Sequence, residues 1–215
     1  MAASSAPPGR RARVLLIASG AVLALGLLAW HVLAPPTEAP EYAGARPDEA
    51  DDGYARVTHS VFIDAPPEQV WEWSNDPDLR LEDLVRFENF PAVVGTEPLV
   101  GEWQPGRREG DRRRVELADG NYLAEEVLID SPERFRYMIW GFTSPQRLVV
   151  QHGIAEFSYV AEGSGTRLSW EYTFLPRAEV LRPAVGSFLE STMSPMMRAT
   201  LAAMRDGVEE SARAG

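Results

Sequence analysis

The apolar positions of this chain fall into three regimes. Val14 to Ala34 is an unbroken apolar run, VLLIASGAVLALGLLAWHVLA, interrupted only by Ser19, two glycines and His31. At about 1.5 Å per residue its 21 residues reach roughly 30 Å, the depth of a bilayer's hydrocarbon core, and predict one transmembrane helix over 14–34. Residues 35–53 then lose all periodicity in a proline-, alanine- and acid-rich stretch, which predicts an extended, poorly ordered spacer. From Tyr54 onward short alternating segments punctuated by turns predict strands, and a final three- and four-residue periodicity predicts helix.

Tyr54–Ile63 sets Val57, Val61 and Ile63 on one strand face, with His59 among them. Asp64-Ala-Pro-Pro-Glu opens a helix that carries Val70 and Trp71 and stops near Asn75-Asp-Pro; a second short helix is expected over Pro77–Val85. Phe87–Val94 and Gly101–Gln104 are weak strand signals. Asp111–Leu117 and Asn121–Ile129 flank Asp119-Gly120, a tight-hairpin signal. Phe135–Phe142, Arg147–Val160 and Thr166–Leu175 complete a meander, the last alternating Leu168, Trp170, Tyr172 and Phe174 against polar residues. Ala178–Ala212 is helical; Pro195 predicts a kink or a junction of two helices, with Ser194 as N-cap.

Charge sharpens the first regime. Arg10, Arg11 and Arg13 precede the apolar run with no acid among them, so the N-terminus (1–13) is expected in the cytoplasm and the domain in the periplasm or outside the cell. A cleaved signal peptide shares the basic start. Its apolar core is shorter, however, and Pro35 disfavours a cut after Ala34; cuts after Ala39 or Ala43 stay open. Taking those three arginines from the 21 basic residues leaves 18 against 32 acidic ones, a formal −14. Such a domain is repelled by phosphate backbones, so nucleic acid is not an expected partner. The chain has no cysteine, which excludes disulfides, thiolate metal sites and cysteine nucleophiles.

One strand, two short helices, six meandering strands and a long amphipathic helix resemble the helix-grip fold of the SRPBCC superfamily (START, birch-pollen-allergen and polyketide cyclase/dehydrase proteins). The resemblance covers 54–212. It rests on Val61-Phe-Ile-Asp-Ala-Pro-Pro-Glu-Gln-Val-Trp71, on Gly120–Asp130, on Gly165-Thr166 and on Leu201–Glu209. It implies an α+β domain whose curved antiparallel sheet wraps the last helix around an apolar cavity. It leaves activity open, because members bind lipids and hormones, cyclise polyketides or serve as interaction domains.

Within that frame the candidate cavity residues are Trp103, Tyr122, Tyr137, Trp140, His152, Trp170 and Tyr172 on strands, with Met193 and Met197 on the last helix. Aromatics with a polar tip and adaptable methionines suit an apolar ligand with one polar end. His152 is the candidate general base, ahead of His59. Glu125, Glu126 and Glu171 are candidate carboxylates; alternation predicts that one of Glu125 and Glu126 is solvated. Arg107, Arg108, Arg112, Arg113 and Arg114 are expected on a solvated hairpin face. No ligand spacing for a metal, no nucleophile elbow and no phosphate or dinucleotide loop occurs, so no cofactor is expected. The reading that results is a membrane-tethered binding or carrier domain for a hydrophobic small molecule or lipid. The alternatives are a cyclase/dehydratase-like enzyme and a tethered protein-interaction module.

Overall fold

The structure, a computed structural model, describes Gly26, Tyr42 and residues 44–76, 78–85 and 90–214. The predicted membrane helix, apart from Gly26, lies outside the described residues. Among the described residues no helix is long and apolar enough to cross a membrane.

Seven strands form one antiparallel sheet in the order β1-β7-β6-β5-β4-β3-β2, with β1 Ala55–Ile63, β2 Val93–Val100, β3 Arg112–Leu117, β4 Tyr122–Asp130, β5 Arg134–Trp140, β6 Val150–Glu162 and β7 Gly165–Pro176. Helices α1 (Pro67–Ser74) and α2 (Leu81–Leu84) fill the connection from β1 to β2. Helix α3 (Arg182–Phe188), a π-helical turn (Leu189–Met193) and α4 (Ser194–Ala214) follow the last strand. This is the helix-grip arrangement. Pro67 opens α1, where a missing N–H costs nothing. Gly120, at φ +81°, turns the β3–β4 hairpin in a conformation that side chains with a Cβ avoid.

The core lies between the inner face of the sheet and the C-terminal helices. Ile63, Leu168, Phe174, Leu189, Met197, Leu201 and Val208 are almost wholly buried there. On α4, Gly207 carries no Cβ because the Trp73 ring of α1 occupies that place, with the nearest ring carbon 2.2 Å from where a Cβ would stand. Among the described residues every core residue falls between Tyr54 and Val208, and residues 36–215 form a compact unit of their own. As a separate compact unit with its own hydrophobic core, that stretch has what a domain needs to fold alone.

Four local expectations are corrected. The strand after α2 is Val93–Val100 rather than Phe87–Val94, part of which lies outside the described residues, or Gly101–Gln104. Gly95 and Pro98 hide it in the sequence, and an edge strand tolerates both. The segment expected to be strand from Arg147 begins as a short 3₁₀ turn, Pro145–Leu148, and pairs only from Val150. Ser194 is not an N-cap: its backbone is helical, and the π turn just before Pro195 absorbs the proline without ending the helix.

The spacer is the fourth. Residues 35–41 and 43 lie outside the described residues; Tyr42 and the stretch from Gly44 lie against the outer face of the sheet. Arg46 makes two hydrogen bonds to the Glu126 carboxylate, at 2.7 and 2.8 Å. Arg136 of β5 reaches the Asp48 carbonyl and the Glu49 carboxylate, and the Tyr42 ring meets Trp140 and His152 edge-on. Charge pairing across the sheet outweighs the disorder that proline and acid content suggests.

Candidate functional site

Strand alternation decides what faces the helices. On β3, Arg113, Val115 and Leu117 point inward; on β4, Leu123 and Glu125; on β5, Phe135 and Tyr137; on β6, Phe157 and Tyr159; on β7, Trp170 and Tyr172. Opposite them, Met193, Met196, Thr200 and Met204 form one stripe of the C-terminal helix. Between the two surfaces lies a cavity of about 650 Å³, closed on one side by α2 and by the loop carrying Trp103. Its size falls in the usual range for small-molecule sites.

Of the nine residues expected to line it, the structure brings Trp103, Tyr137, Trp170, Tyr172 and Met193 together on its wall. Four lie elsewhere, and parity explains three. Tyr122 and Trp140 sit at outward positions of β4 and β5; Tyr122 lies near Arg114, and Trp140 packs with Ala124 and Met138 on the outer face. His152 shares the parity of Ile154 and Glu156, opposite to Phe157 and Tyr159, so plain alternation puts it on the outer face. The register shift between Val150 and His152 acts on Val150, which it returns to the inner side with Ala155, Phe157 and Tyr159. His152 is buried, its Nε2 sharing a 2.7 Å hydrogen bond with the Tyr54 hydroxyl, while Nδ1 has no partner. Met197 is one residue, or 100°, round α4 from Met196; it is fully buried in the core rather than on the cavity wall.

The acids and arginines are the larger surprise. Glu125 and Glu126 do point to opposite faces, yet both are buried, because each meets arginine. Glu126, on the outer face, is held by Arg46 and Arg112; burial alone would raise its pKa, but the two guanidinium groups bring it below the ordinary value. Glu125 faces the cavity, where Arg113 Nε donates to its Oε2 at 2.7 Å. Arg113 also lies over the Trp103 ring, 4.2 Å from its centroid. Arg108, again a cavity residue, pairs with Asp130 at 2.7 Å, with the two side chains 7% and 0% exposed, and covers the Phe135 ring. Asp130 is shifted below its ordinary value: burial works to raise its pKa, and hydrogen bonds from the Arg108 side chain and backbone overcome it. The expected solvated arginine face is therefore mostly ion-paired, and two of its arginines are cavity groups. The alternation of Arg113 with Val115 and Leu117 was the available signal, since residues two apart share a face.

The phenols of Tyr137 and Tyr172 are buried on the cavity wall. Burial raises both well above their ordinary pKa; the Glu125 carboxylate adds to this for Tyr137, while Tyr137 and Glu125 add to it for Tyr172. The Trp170 indole N–H lies close enough to the Tyr137 phenol to offset part of the rise there, but reaches no partner in good hydrogen-bond geometry. Among the described residues no three His, Asp or Glu side chains converge as a metal site. His59 lies on the helix-facing side of β1 and bonds Ser194 Oγ at 2.7 Å, away from the cavity wall.

Residues 54–209 match the model of the family described as polyketide cyclase/dehydrase and lipid transport. The chain belongs to that family, within the SRPBCC superfamily. Among solved structures similar to this family member is norcoclaurine synthase from Thalictrum flavum, with 16% identity, TM-score 0.55, and 73% of this chain and 95% of that one covered. The Zhui aromatase/cyclase from Streptomyces sp. R1128 has 20% identity and TM-score 0.52, with 73% and 94% covered. Ara h 8.0201 has 15% identity and TM-score 0.52, with 70% and 97% covered. At these identities the likeness establishes the shared fold. No curated protein sequence matches the chain.

Proposed function

We propose that residues 54–209 bind and carry a hydrophobic small molecule, a lipid included, and that a helix over 14–34 holds them at a membrane with the domain outside the cytoplasm. The observation that carries this reading is the cavity of about 650 Å³ between sheet and helix, with mainly aromatic, aliphatic and methionine walls. Family membership supports it, since lipid transport is part of the family's description. The apolar run and the arginines before it support the tether.

Catalysis of a cyclase or dehydratase kind is the second reading. It draws on one observation, the Glu125 carboxylate and two phenols inside an apolar chamber, and on the aromatase/cyclase that shares the fold. Carriage ranks first because the groups present are poorly poised for proton transfer. Glu125 is tied to Arg113, and the two phenols are held well above their ordinary range. A general-base role for His152 is not retained, because that side chain faces away from the cavity. An interaction module draws little support: the exposed large apolar side chains divide between edge strand β2 and separate positions such as Phe62, Leu148 and Val180.

Fluorescence titration of residues 36–215 with N-phenyl-1-naphthylamine, an uncharged apolar probe, tests the reading. Saturable binding is expected. Thr200→Trp, which places an indole in the cavity from α4, is expected to weaken it about tenfold or more. Absence of binding, or binding indifferent to that substitution, would overturn carriage in this cavity.

A further inference from the structure

The charges of the cavity are balanced in its interior and acidic at its rim. Two arginines reach the interior, and each has its own carboxylate. Arg113 bonds Glu125, with the side chains 16% and 9% exposed, and Arg108 bonds Asp130. Both nitrogens that Arg113 commits to the pair, Nε and Nη2, converge on Glu125 Oε2. The second carboxylate oxygen therefore keeps acceptor capacity, and the guanidinium keeps N–H groups to donate. Around them stand un-ionised donors: the Tyr137 and Tyr172 phenols and the Trp170 indole. At the rim, among the described residues, Asp76, Glu82 and Glu102 face a single arginine, Arg80, three acids against one base.

This arrangement is costly to build, which bears on why it is there. A buried ion pair is often no more stabilising than apolar residues of the same volume. Moreover, Trp103, whose indole underlies Arg113, holds a left-handed backbone at φ 54° that a bulky residue rarely adopts. Asp111 Oδ2 accepts from the Trp103 backbone N–H at 2.8 Å and fixes that conformation. Strain concentrated beside a buried pair in a ligand-sized cavity marks the pair as part of the binding surface.

We propose that the neutralised Arg113–Glu125 pair is a specificity element: the cavity accepts uncharged ligands with an oxygen-bearing end and turns away ionised ones. The ligand class is then an apolar ring or chain compound ending in a hydroxyl, carbonyl or ester, rather than a free fatty acid or a phospholipid. A neutral oxygen end can accept from Arg113 or a phenol and donate to Glu125 without disturbing the pair. An anion entering the same place finds the Arg113 charge already neutralised, meets the Glu125 carboxylate and loses its own hydration without gaining a counter-charge. The inference rests on the carrier reading and gives it a ligand class.

A matched pair of probes separates the two claims: N-phenyl-1-naphthylamine and its sulfonate, 1-anilinonaphthalene-8-sulfonate, titrated into residues 36–215. Binding that Thr200→Trp removes is counted as cavity binding. The uncharged probe is expected to bind about tenfold tighter or more in the wild type. Glu125→Gln, which keeps the shape and uncovers the Arg113 charge, is expected to shift the affinity ratio toward the sulfonate by about tenfold or more. The double substitution Arg113→Gln with Glu125→Gln is expected to restore the wild-type ratio. Equal or tighter cavity binding of the sulfonate by the wild type overturns the proposal and leaves carriage standing. So does a ratio that Glu125→Gln does not move. Binding of neither probe overturns both. If Glu125→Gln does not fold, the wild-type ratio and the double variant decide.

Discussion

His152 and His59 show how a single side chain's surroundings become a measurable property of the whole domain. Burial lowers the pKa of His152; for His59, burial comes first and the nearby Arg198 charge adds to it, with Glu190 opposing. A base whose folded pKa lies below its unfolded value takes up protons more readily when unfolded. Its contribution to stability is therefore complete above the unfolded value of about 6.5 and is lost as pH falls through the folded value. The urea midpoint of residues 36–215 is expected to fall between pH 7 and pH 5. His152→Gln is expected to make that slope shallower, and equal slopes would sink the account. The same residue shows where sequence reading stops. Its apolar surroundings were legible, and alternation sets it opposite Phe157 and Tyr159, but the pattern does not say which of those two faces lines the cavity. Tyr122 and Trp140 were misplaced for a related reason: both faces of β4 and β5 carry large apolar or aromatic groups, so the pattern does not say which is inside. Trp170 and Tyr172, on a strand that alternates cleanly, were placed correctly.

Elements were more legible than faces, because period and turn residues act locally. The Asp119-Gly120 hairpin, the helix start at Pro66-Pro67 and the long β6–β7 pair all follow from such signals. The elements that escaped are those whose existence depends on distant partners. Strand β2 contains glycine and proline and exists because β3 pairs with it. Tyr42–Glu49 has no period of its own and is held by Glu126, Arg136 and Trp140, partners 80 or more residues away. Arg46→Ala should release this strap. Its side chain is 37% exposed, so the loss in global stability is expected to stay near 1 kcal/mol or below. Local opening should change more: thermolysin cleavage between residues 36 and 50 is expected to accelerate about fivefold or more, with the sheet intact by circular dichroism. An unchanged cleavage rate would mean that Arg46 does not hold the segment down.

At the scale of the molecule, an acidic binding domain and an apolar N-terminal run make opposite demands on a membrane. The residues after the run carry a formal −14, which opposes adsorption to anionic lipid, so electrostatics cannot keep the domain at a bilayer surface. The proposed tether at a membrane is therefore the apolar run 14–34. Two measurements on the chain expressed in bacteria test this. The intact chain is expected in the membrane fraction, resistant to carbonate extraction, whereas residues 36–215 are expected in the soluble fraction with probe binding unchanged. Intact mass then distinguishes an anchor from a cleaved leader. A mature chain that retains residues 1–34 supports the anchor, and one beginning at Pro40 or Gly44 shows cleavage after Ala39 or Ala43. That second result would remove the tether and leave the cavity untouched. The two halves of the proposed function can thus fail separately, as two features encoded in separate stretches of sequence should.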